Sequence, residues 1–412
     1  MVIGRDDELA RLRAMLGRRV GNRSALLLHG GYGSGKSALL RVLRAEELAA
    51  GRAVVSATAE PLESSVEFAV VRQLFDDVHE TEHGTPPVPR PFADPGTTAE
   101  AAEEALYAAV ASAATRRPVL VAVDDLQHAD APSLRWLGYL IRRADDLPLT
   151  VLVTLGPGEV AHEDELAALL RLLPRQQDLL PLDEDTVHRL VLGALGERAD
   201  RAVSAACRTA TAGNPLLLQA LLRTLATTPA RPGEESWEEA VTGTVHEIRP
   251  AVRALLGDLG AEVEATATAL AVLGGAQSAE LVAQTAGLSA PAAQDTVHRL
   301  TRVGLVVGTD TGLVRTACPL LEAAEAACVA PSRRRELHGR AADLLREWAA
   351  PCEQIAAHLL RCDPGRPWAD AVLRDAAALA AERGDPARAA AYLRGTRSGT
   401  RSASSPPARH AV

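Results

Sequence analysis

The hydrophobic pattern divides the sequence into two parts that differ in their predicted secondary structure. From residue 1 to about 180, short apolar runs alternate with segments of helical periodicity, whereas helical patterns dominate afterwards. The apolar runs predict buried strands at 24–30, 52–60, 118–124, 147–155 and 178–182. This alternation is typical of α/β layers, so we predict a parallel sheet flanked by helices in the first part.

The spacing of apolar residues also predicts individual helices. Amphipathic patterns predict helices at 64–78 and 101–117, and the Pro- and Gly-rich residues 81–98 predict a surface loop between them. Within residues 251–316, three helical patterns precede two short β runs, an order that suggests a winged helix. Residues 375–396 show one helical-hairpin pattern around a Gly-Asp-Pro turn, which resembles a single tetratricopeptide-like repeat.

One glycine-rich segment lies between a predicted strand and a predicted helix. It reads Gly-Gly-Tyr-Gly-Ser-Gly-Lys-Ser and fits G-x-x-x-x-G-K-[ST], the pattern of the phosphate-binding P-loop. In such a loop, backbone N–H groups and the helix N-terminus face the phosphates, and the final hydroxyl binds Mg²⁺. We therefore predict a P-loop NTPase domain with ATP and Mg²⁺ as cofactors and Ser37 as a metal ligand. The predicted nucleotide-binding residues of this segment are Gly30, Gly31, Tyr32, Gly33, Ser34, Gly35, Lys36, Ser37 and Ala38.

Lys36 is predicted to act in catalysis as well as in binding. The chain has 44 basic residues, and Lys36 is the only lysine among them. A P-loop lysine carries a compact charge on a thin stem that reaches the β- and γ-phosphates, a space that a planar guanidinium does not fit. The distribution of basic residues indicates that arginine is used wherever the chemistry tolerates it, and that position 36 does not tolerate arginine.

An acidic pair follows the predicted strand at 118–124. Such a strand brings Asp124 and Asp125 to the carboxyl edge of the sheet, where the P-loop also lies. We predict that Asp124 holds Mg²⁺, directly or through water. Asp125 is predicted as the catalytic residue that orients or deprotonates the attacking water.

Composition restricts the setting of this chemistry. A length of 412 residues predicts about three domains, and a net charge of −9 does not favour nucleic acid as the main partner. No apolar run is long enough to span a membrane. The five cysteines are odd in number and have no short pairings, which fits the reducing cytosol, so we expect a cytoplasmic protein.

Two further segments have both a structural and a functional interpretation. Gly4-Arg5, just before a helix, suits an ordinary helix start or a contact with adenine equally well. Gly213-Asn214-Pro215 breaks one helix and starts another, as an interhelical turn does.

Four segments in this order resemble the STAND-class, AAA-like ATPase module: IGRDDEL, GGYGSGKS, VDDLQHADAPSLRWLGYL and GNPLLLQAL. The resemblance is closest to the large ATP-binding LuxR-type transcription regulators of actinomycetes and covers residues 2 to about 395. It implies that Gly4, Arg5 and Pro215 line the adenine pocket. It also implies a regulatory switch that binds ATP and ADP, with self-association or pairing with a regulator as its mode of action.

The resemblance orders the predicted domains along the chain. In that family a C-terminal helix-turn-helix follows the repeats, and this sequence stops before it, so the chain corresponds to the ATPase half. Residues 276–318 of the winged-helix segment are charge-neutral, and we predict no specific DNA binding by this segment. The predicted domains are 1–182 P-loop nucleotide-binding, 183–232 helical lid, 245–320 winged-helix-like, 332–396 helical repeat and 397–412 disordered tail.

One departure from the family bears on activity. Members usually carry an arginine, a γ-phosphate sensor, at the end of the strand that follows the acidic one. Leu155 and Gly156 stand there instead. Loss of a cation at the γ-phosphate removes transition-state stabilisation, so we expect slow hydrolysis at most. The alternatives are an efficient ATPase or kinase, and a scaffold whose ATP site has decayed.

Overall fold

The computed structural model describes residues 4–17, 24–76, 99–143, 147–157, 160–228 and 231–401. The chain divides into two compact units, residues 1–240 with 302–304 and residues 241–301 with 305–412. The predicted loop at 81–98 lies outside the described residues.

The first unit is built on a parallel sheet between two layers of helices. Its strands are β1 (Ser24–Gly30), β2 (Ala53–Thr58), β3 (Val119–Asp124), β4 (Leu149–Leu155) and β5 (Arg175–Leu179). Its helices are α1 (Asp6–Gly17), α2 (Lys36–Ala49), α3 (Ala69–Asp76), α4 (Ala99–Arg116), α5 (Ala131–Arg143), α6 (Glu163–Leu170), α7 (Glu184–Leu195), α8 (Arg201–Thr211) and α9 (Pro215–Thr227), and α10 (Glu235–Asp258) contains the boundary with the second unit. The predicted parallel sheet flanked by helices is confirmed.

The strand order places β4 between the P-loop strand and the acidic strand. The five strands run parallel in the order β2-β3-β4-β1-β5, so β4 pairs with both the P-loop strand β1 and the acidic strand β3. Alternate residues face opposite helical layers. Leu26 and Leu28 of β1 pack with α1 and α2, whereas Ala25 and Leu27 pack with the cluster formed by α3 to α6. All carboxyl ends of these strands meet at one edge.

Two predicted elements were displaced. The strand predicted at 178–182 is β5, Arg175–Leu179, because among the described strands it lies at the edge beside β1, and an edge strand needs few apolar residues. Leu180 after it is 69% exposed. The helix predicted from 64 begins at Ala69, because Phe68 has φ +59° and the Asp130 carboxylate accepts hydrogen bonds from the N–H groups of Phe68 and Val70.

The second unit is mainly helical. After α11 (Ala261–Leu273), α12 (Ala279–Ala286) and α13 (Ala290–Arg302) comes an antiparallel pair, β6 (Val306–Gly308) and β7 (Val314–Thr316). This is the element order of the predicted winged helix, which stays a prediction. The remaining helices are α14 (Pro319–Cys328), α15 (Pro331–Glu347), α16 (Cys352–Leu359), α17 (Ala369–Glu382) and α18 (Pro386–Arg401).

The last two helices form the hairpin that the sequence indicated at 375–396. Gly384 between them has φ +76°, and the Asp385 carboxylate accepts a hydrogen bond from the N–H of Arg388. Alanines of both helices pack around the buried ring of Tyr392. Helix α18 continues to Arg401, into the predicted tail, and the rest of that tail lies outside the described residues. None of the described helices has the length and apolar character needed to cross a membrane.

Candidate functional site

The glycine-rich segment forms a tight loop between the end of β1 and the start of α2. Gly33 and Gly35 adopt left-handed backbone angles, φ +71° and +99°, which side chains rarely tolerate. A Cβ atom on Gly33 would lie 2.7 Å from Asn214 Oδ1 and 2.9 Å from Leu216 Cβ. The loop therefore requires glycine at this position for both its backbone conformation and its close approach to α9.

Lys36 lies at the first turn of α2 and reaches back under the loop. Its side chain is buried, and Nζ donates to the carbonyls of Gly30 at 2.9 Å and Gly31 at 3.1 Å. Burial lowers the pKa of Lys36 from its ordinary value, and the nearby carboxylates of Asp125 and Asp124 oppose that shift. The only lysine of the chain thus lies between the loop and the acidic strand end.

The segment before α1 holds the loop from one side. Arg5 is 2% exposed, and its Nε and Nη2 both donate to the carbonyl of Ser34, at 3.2 and 3.1 Å. Its Nη1 pairs with Glu8 at 2.9 Å. Gly4, with φ +64°, lies so close to α7 that a Cβ would be 2.8 Å from the Thr186 methyl group. This segment therefore contacts both the P-loop backbone, through Arg5, and helix α7, through Gly4.

The Gly-Asn-Pro turn holds the loop from the other side. Asn214 Oδ1 accepts from the N–H groups of Leu216 and Leu217 and so caps α9, while Nδ2 donates to the carbonyl of Tyr32 at 2.7 Å. The N–H of Leu216 also contacts the carbonyl of Gly33 at 3.3 Å. Pro215 is the buried first residue of α9, between two residues that touch the loop.

These contacts leave the loop with its carbonyls occupied and many of its N–H groups available. Side chains or N–H groups of the first unit bind every carbonyl from Gly30 to Ser34. Within the part of the chain that the structure describes, no carbonyl accepts from the N–H groups of Gly33, Gly35, Lys36, Ser37 or Ala38. A cluster of unpaired N–H groups at a helix N-terminus is the arrangement that binds phosphate.

The acidic pair lies at the carboxyl end of β3, separated from the P-loop strand β1 by β4. Asp124 ends β3, and its Oδ1 accepts a short hydrogen bond from the Thr154 hydroxyl of β4. Oγ1 of Thr154 also accepts a hydrogen bond from the N–H of Asp125 at 2.8 Å. Asp125 has a left-handed backbone with φ 53° and ψ 49°, which turns the chain sharply at the edge of the sheet.

The end of β4 carries no cation. Leu155 pairs in register with His29 and packs against the core cluster between the sheet and α3 to α6. The N–H of Gly156 donates to Gln127 Oε1 at 2.8 Å, and Gln127 Nε2 donates to Asp125 Oδ1 at 3.1 Å. A glutamine amide thus lies next to the position at which the family pattern has arginine.

Sequence reasoning missed the residues that hold this site together. Thr154 is a polar residue within the apolar run of β4, whereas Gln127 lies in the polar segment after the acidic pair, and both are buried. Polarity in an apolar run was a signal for Thr154 alone, and it does not tell which groups the side chain contacts. For Asn214 a signal existed, because Asn before Pro is a strong helix start. Its second contact, with the loop carbonyl, was not predictable from a local pattern.

Comparisons with known proteins agree with this geometry. Residues 1–153 match the family model described as an AAA ATPase domain. A Walker-type ATPase of Pyrococcus abyssi is similar in structure at a TM-score of 0.55 and 15% sequence identity, over 78% of this chain and 95% of that one. These findings support an AAA-like NTPase, and at that identity the structural likeness concerns the fold.

Looser likenesses were also found. The STAND protein with a tetratricopeptide repeat sensor from Pyrococcus horikoshii reaches a TM-score of 0.35 at 13% identity, over 96% of this chain and 54% of that one. RuvB of Thermotoga maritima reaches 0.39 at 15% identity, over 75% and 90%. Neither carries an argument here. No protein of curated function matches the sequence.

Proposed function

We propose that the chain is an ATP-binding regulatory switch that hydrolyses ATP slowly. The observation that carries the proposal is the state of the P-loop, whose carbonyls are occupied and whose N–H groups from Gly33 to Ala38 are largely unpaired around a buried Lys36. Phosphate oxygens are the acceptors that satisfy such donors. On binding, the ammonium of Lys36 exchanges the carbonyls of Gly30 and Gly31 for the β- and γ-phosphates.

The residues around the loop also fit Mg²⁺. Mg²⁺ is usually held by one or two protein oxygens together with water and phosphate oxygens, so it needs no cage of carboxylates. Ser37 is the second residue of α2, and Asp124 is fixed at the end of β3 by the Thr154 hydroxyl of β4. We assign Ser37 and Asp124 as the residues that hold the ion. When bound, Mg²⁺ neutralises the charge that develops on the phosphates.

The adenine contacts fall to the two segments that hold the loop. The guanidinium of Arg5 is committed to Ser34 and Glu8, so a contact of Gly4-Arg5 with the base is made by the backbone. Pro215 supplies an apolar ring at the start of α9. These roles are part of the proposal and rest on the resemblance to STAND-class ATPases.

Hydrolysis in this site depends on Asp125 without help from a cation on β4. Asp125 orients the attacking water and accepts its proton, while Leu155 and Gly156 supply no charge to the γ-phosphate. An arginine that stabilises the transition-state charge on the γ-phosphate contributes about 10³-fold or more to the rate of phosphoryl transfer. Because β4 supplies no such cation, we expect slow turnover. ATP would then stay bound and unhydrolysed for much longer than binding itself takes. Such a long-lived ATP state suits a switch better than a metabolic enzyme.

The finer assignment is that of the ATPase half of a LuxR-type transcription regulator. In this assignment the nucleotide state is read by the winged-helix and helical-repeat segments, or by a second copy of the chain or a full-length regulator. Specific DNA binding is not part of the proposed role, because the segment 276–318 is charge-neutral.

The test is calorimetric titration of the full chain with Mg·ATP and Mg·ADP, followed by measurement of turnover. We expect micromolar binding of both nucleotides and turnover well below about one per second, the range of slow switches. Turnover above that rate would favour the efficient ATPase. Absence of binding would favour the decayed scaffold and overturn the proposal.

A second prediction concerns the contact between lid and loop. Asn214→Asp keeps the oxygen that caps α9 but replaces the Nδ2 donor with a carboxylate oxygen facing the carbonyl of Tyr32. Losing one partly buried hydrogen bond costs about 1–1.5 kcal/mol, so we expect Mg·ATP affinity to fall by about tenfold. The measurement is calorimetry at fixed Mg²⁺ concentration.

The matched control is Asp183→Asn. Asp183 caps α7 by accepting from the N–H of Thr186, so this variant exchanges the same two side chains at a cap that does not touch the loop. Its ATP affinity should equal that of the wild type. Equal losses in both variants would show that a general weakening of the lid, rather than the Tyr32 contact, controls affinity.

A further inference from the structure

The side chain of Gln127 joins two strand ends that carry the chemistry. It is 4% exposed and uses both ends of its amide, with Nε2 on Asp125 Oδ1 at 3.1 Å and Oε1 on the N–H of Gly156 at 2.8 Å. Because the donor and the acceptor are both satisfied, the amide has a single orientation. The carboxylate of Asp125 is thereby tied to the end of β4.

The glycine at 156 is required by this contact and not by the backbone. Gly156 is not among the residues with a left-handed φ, so an alanine meets no conformational penalty there. However, a Cβ at 156 would lie 2.9 Å from Gln127 Nε2 and 3.2 Å from Asp125 Oδ1. Any side chain at 156 therefore displaces the amide from the carboxylate.

The second oxygen of Asp125 is left for chemistry. Oδ1 is bound by Gln127 and the N–H of Asp125 by Thr154, whereas Oδ2 receives no hydrogen bond from the residues that the structure describes. A general base needs one oxygen free and its orientation fixed. In the step itself the water oxygen bonds to the γ-phosphorus, the bond to the β-phosphate oxygen breaks, and the water proton passes to Oδ2.

We infer that Gln127 is a positioning residue for hydrolysis, which fixes the Asp125 carboxylate through the end of β4, and that Gly156 is glycine in order to admit it. The inference rests on the proposed function. It also explains the missing cation, since the space beside Gly156 that an arginine side chain would cross is filled by the Gln127 amide.

The test breaks one contact by two unrelated substitutions. Gln127→Ala removes the amide, and Gly156→Ala displaces it, and both are compared with the double variant and with the wild type. We expect each single variant to lose about tenfold in single-turnover hydrolysis of Mg·ATP, with the dissociation constant for ATP unchanged within about twofold. Because both changes sever the same contact, the double variant should be no slower than either single one.

Gly193→Ala is the matched control. Gly193 lies in α7 with open space around its Cβ position and no left-handed φ, so it reports the effect of a glycine-to-alanine change without a displaced neighbour. We expect its hydrolysis rate and ATP affinity to equal those of the wild type. Thermal unfolding of all variants is followed in parallel, and a positioning role predicts transitions close to that of the wild type.

The outcomes separate this inference from the proposed function. Wild-type chain that binds no Mg·ATP would overturn the proposed function. Chain that binds ATP but never hydrolyses it would leave the switch standing and overturn the role of Gln127. Multiplicative effects in the double variant, a wild-type rate for Gly156→Ala, or a loss that appears in affinity rather than in rate would each overturn it as well.

Discussion

Lys36→Arg is expected to weaken Mg·ATP binding by about 100-fold, although it keeps the charge. The ammonium of Lys36 is buried beneath the loop and bonds to the carbonyls of Gly30 and Gly31. A guanidinium is wider and planar and has no room to pass under the loop to the phosphates. Losing charge-assisted hydrogen bonds costs about 3 kcal/mol, which corresponds to about 100-fold in affinity, as measured by calorimetry.

The reciprocal exchange is the control for this prediction. Arg41→Lys changes an exposed arginine of the same helix α2 and should leave affinity unchanged. Together the two variants test whether lysine itself is needed at position 36 or whether any basic residue suffices. Unchanged affinity in Lys36→Arg would mean that the single lysine of this arginine-rich chain is a coincidence of composition.

The second large effect is expected for stability. Gly213→Ala should lower the free energy of unfolding of the first unit by about 3 kcal/mol in urea titration. Gly213 has φ +73°, and an added Cβ would lie 2.5 Å from the backbone carbonyl of Leu182, which cannot move aside like a side chain. A strained left-handed residue and a backbone clash each cost about 1–3 kcal/mol.

Gly51→Ala separates those two costs. Gly51 has nearly the same angle, φ +78°, but nothing lies within 4 Å of its Cβ position. It should lose only about 1 kcal/mol, the conformational part. If both variants lost the same stability, the close approach of the Gly-Asn-Pro turn to Leu182 would contribute nothing.

The sequence was a good guide to those parts of the site that local patterns specify. The P-loop is one continuous segment, and its glycines and lysine have fixed roles in a strand–loop–helix context. Asp124 and Asp125 were located because a parallel sheet brings the carboxyl ends of its strands to one edge. The positions of most strands followed for the same reason, since buried parallel strands are continuous apolar runs.

The rest depended on contacts between distant segments. Helix α3 starts late because Asp130, far along the chain, accepts from the N–H groups at its beginning. Arg5 suited a helix start and an adenine contact equally, and only the folded chain shows its guanidinium on Ser34. A one-dimensional pattern contains no information about such pairs, and the roles proposed for the site residues stay predictions until binding is measured.

The occupied carbonyls of the P-loop have a consequence for the thermodynamics of binding. Fixing the backbone of one residue costs about 1–2 kcal/mol in conformational entropy. Arg5 and Asn214 bind the loop carbonyls of Ser34 and Tyr32 through contacts that the chain makes with itself, so that cost is met when the chain folds and not when a nucleotide arrives. Association of the nucleotide should therefore show no slow phase from ordering of the loop. The heat-capacity change of binding should be no larger than that expected from the surface that the nucleotide itself buries.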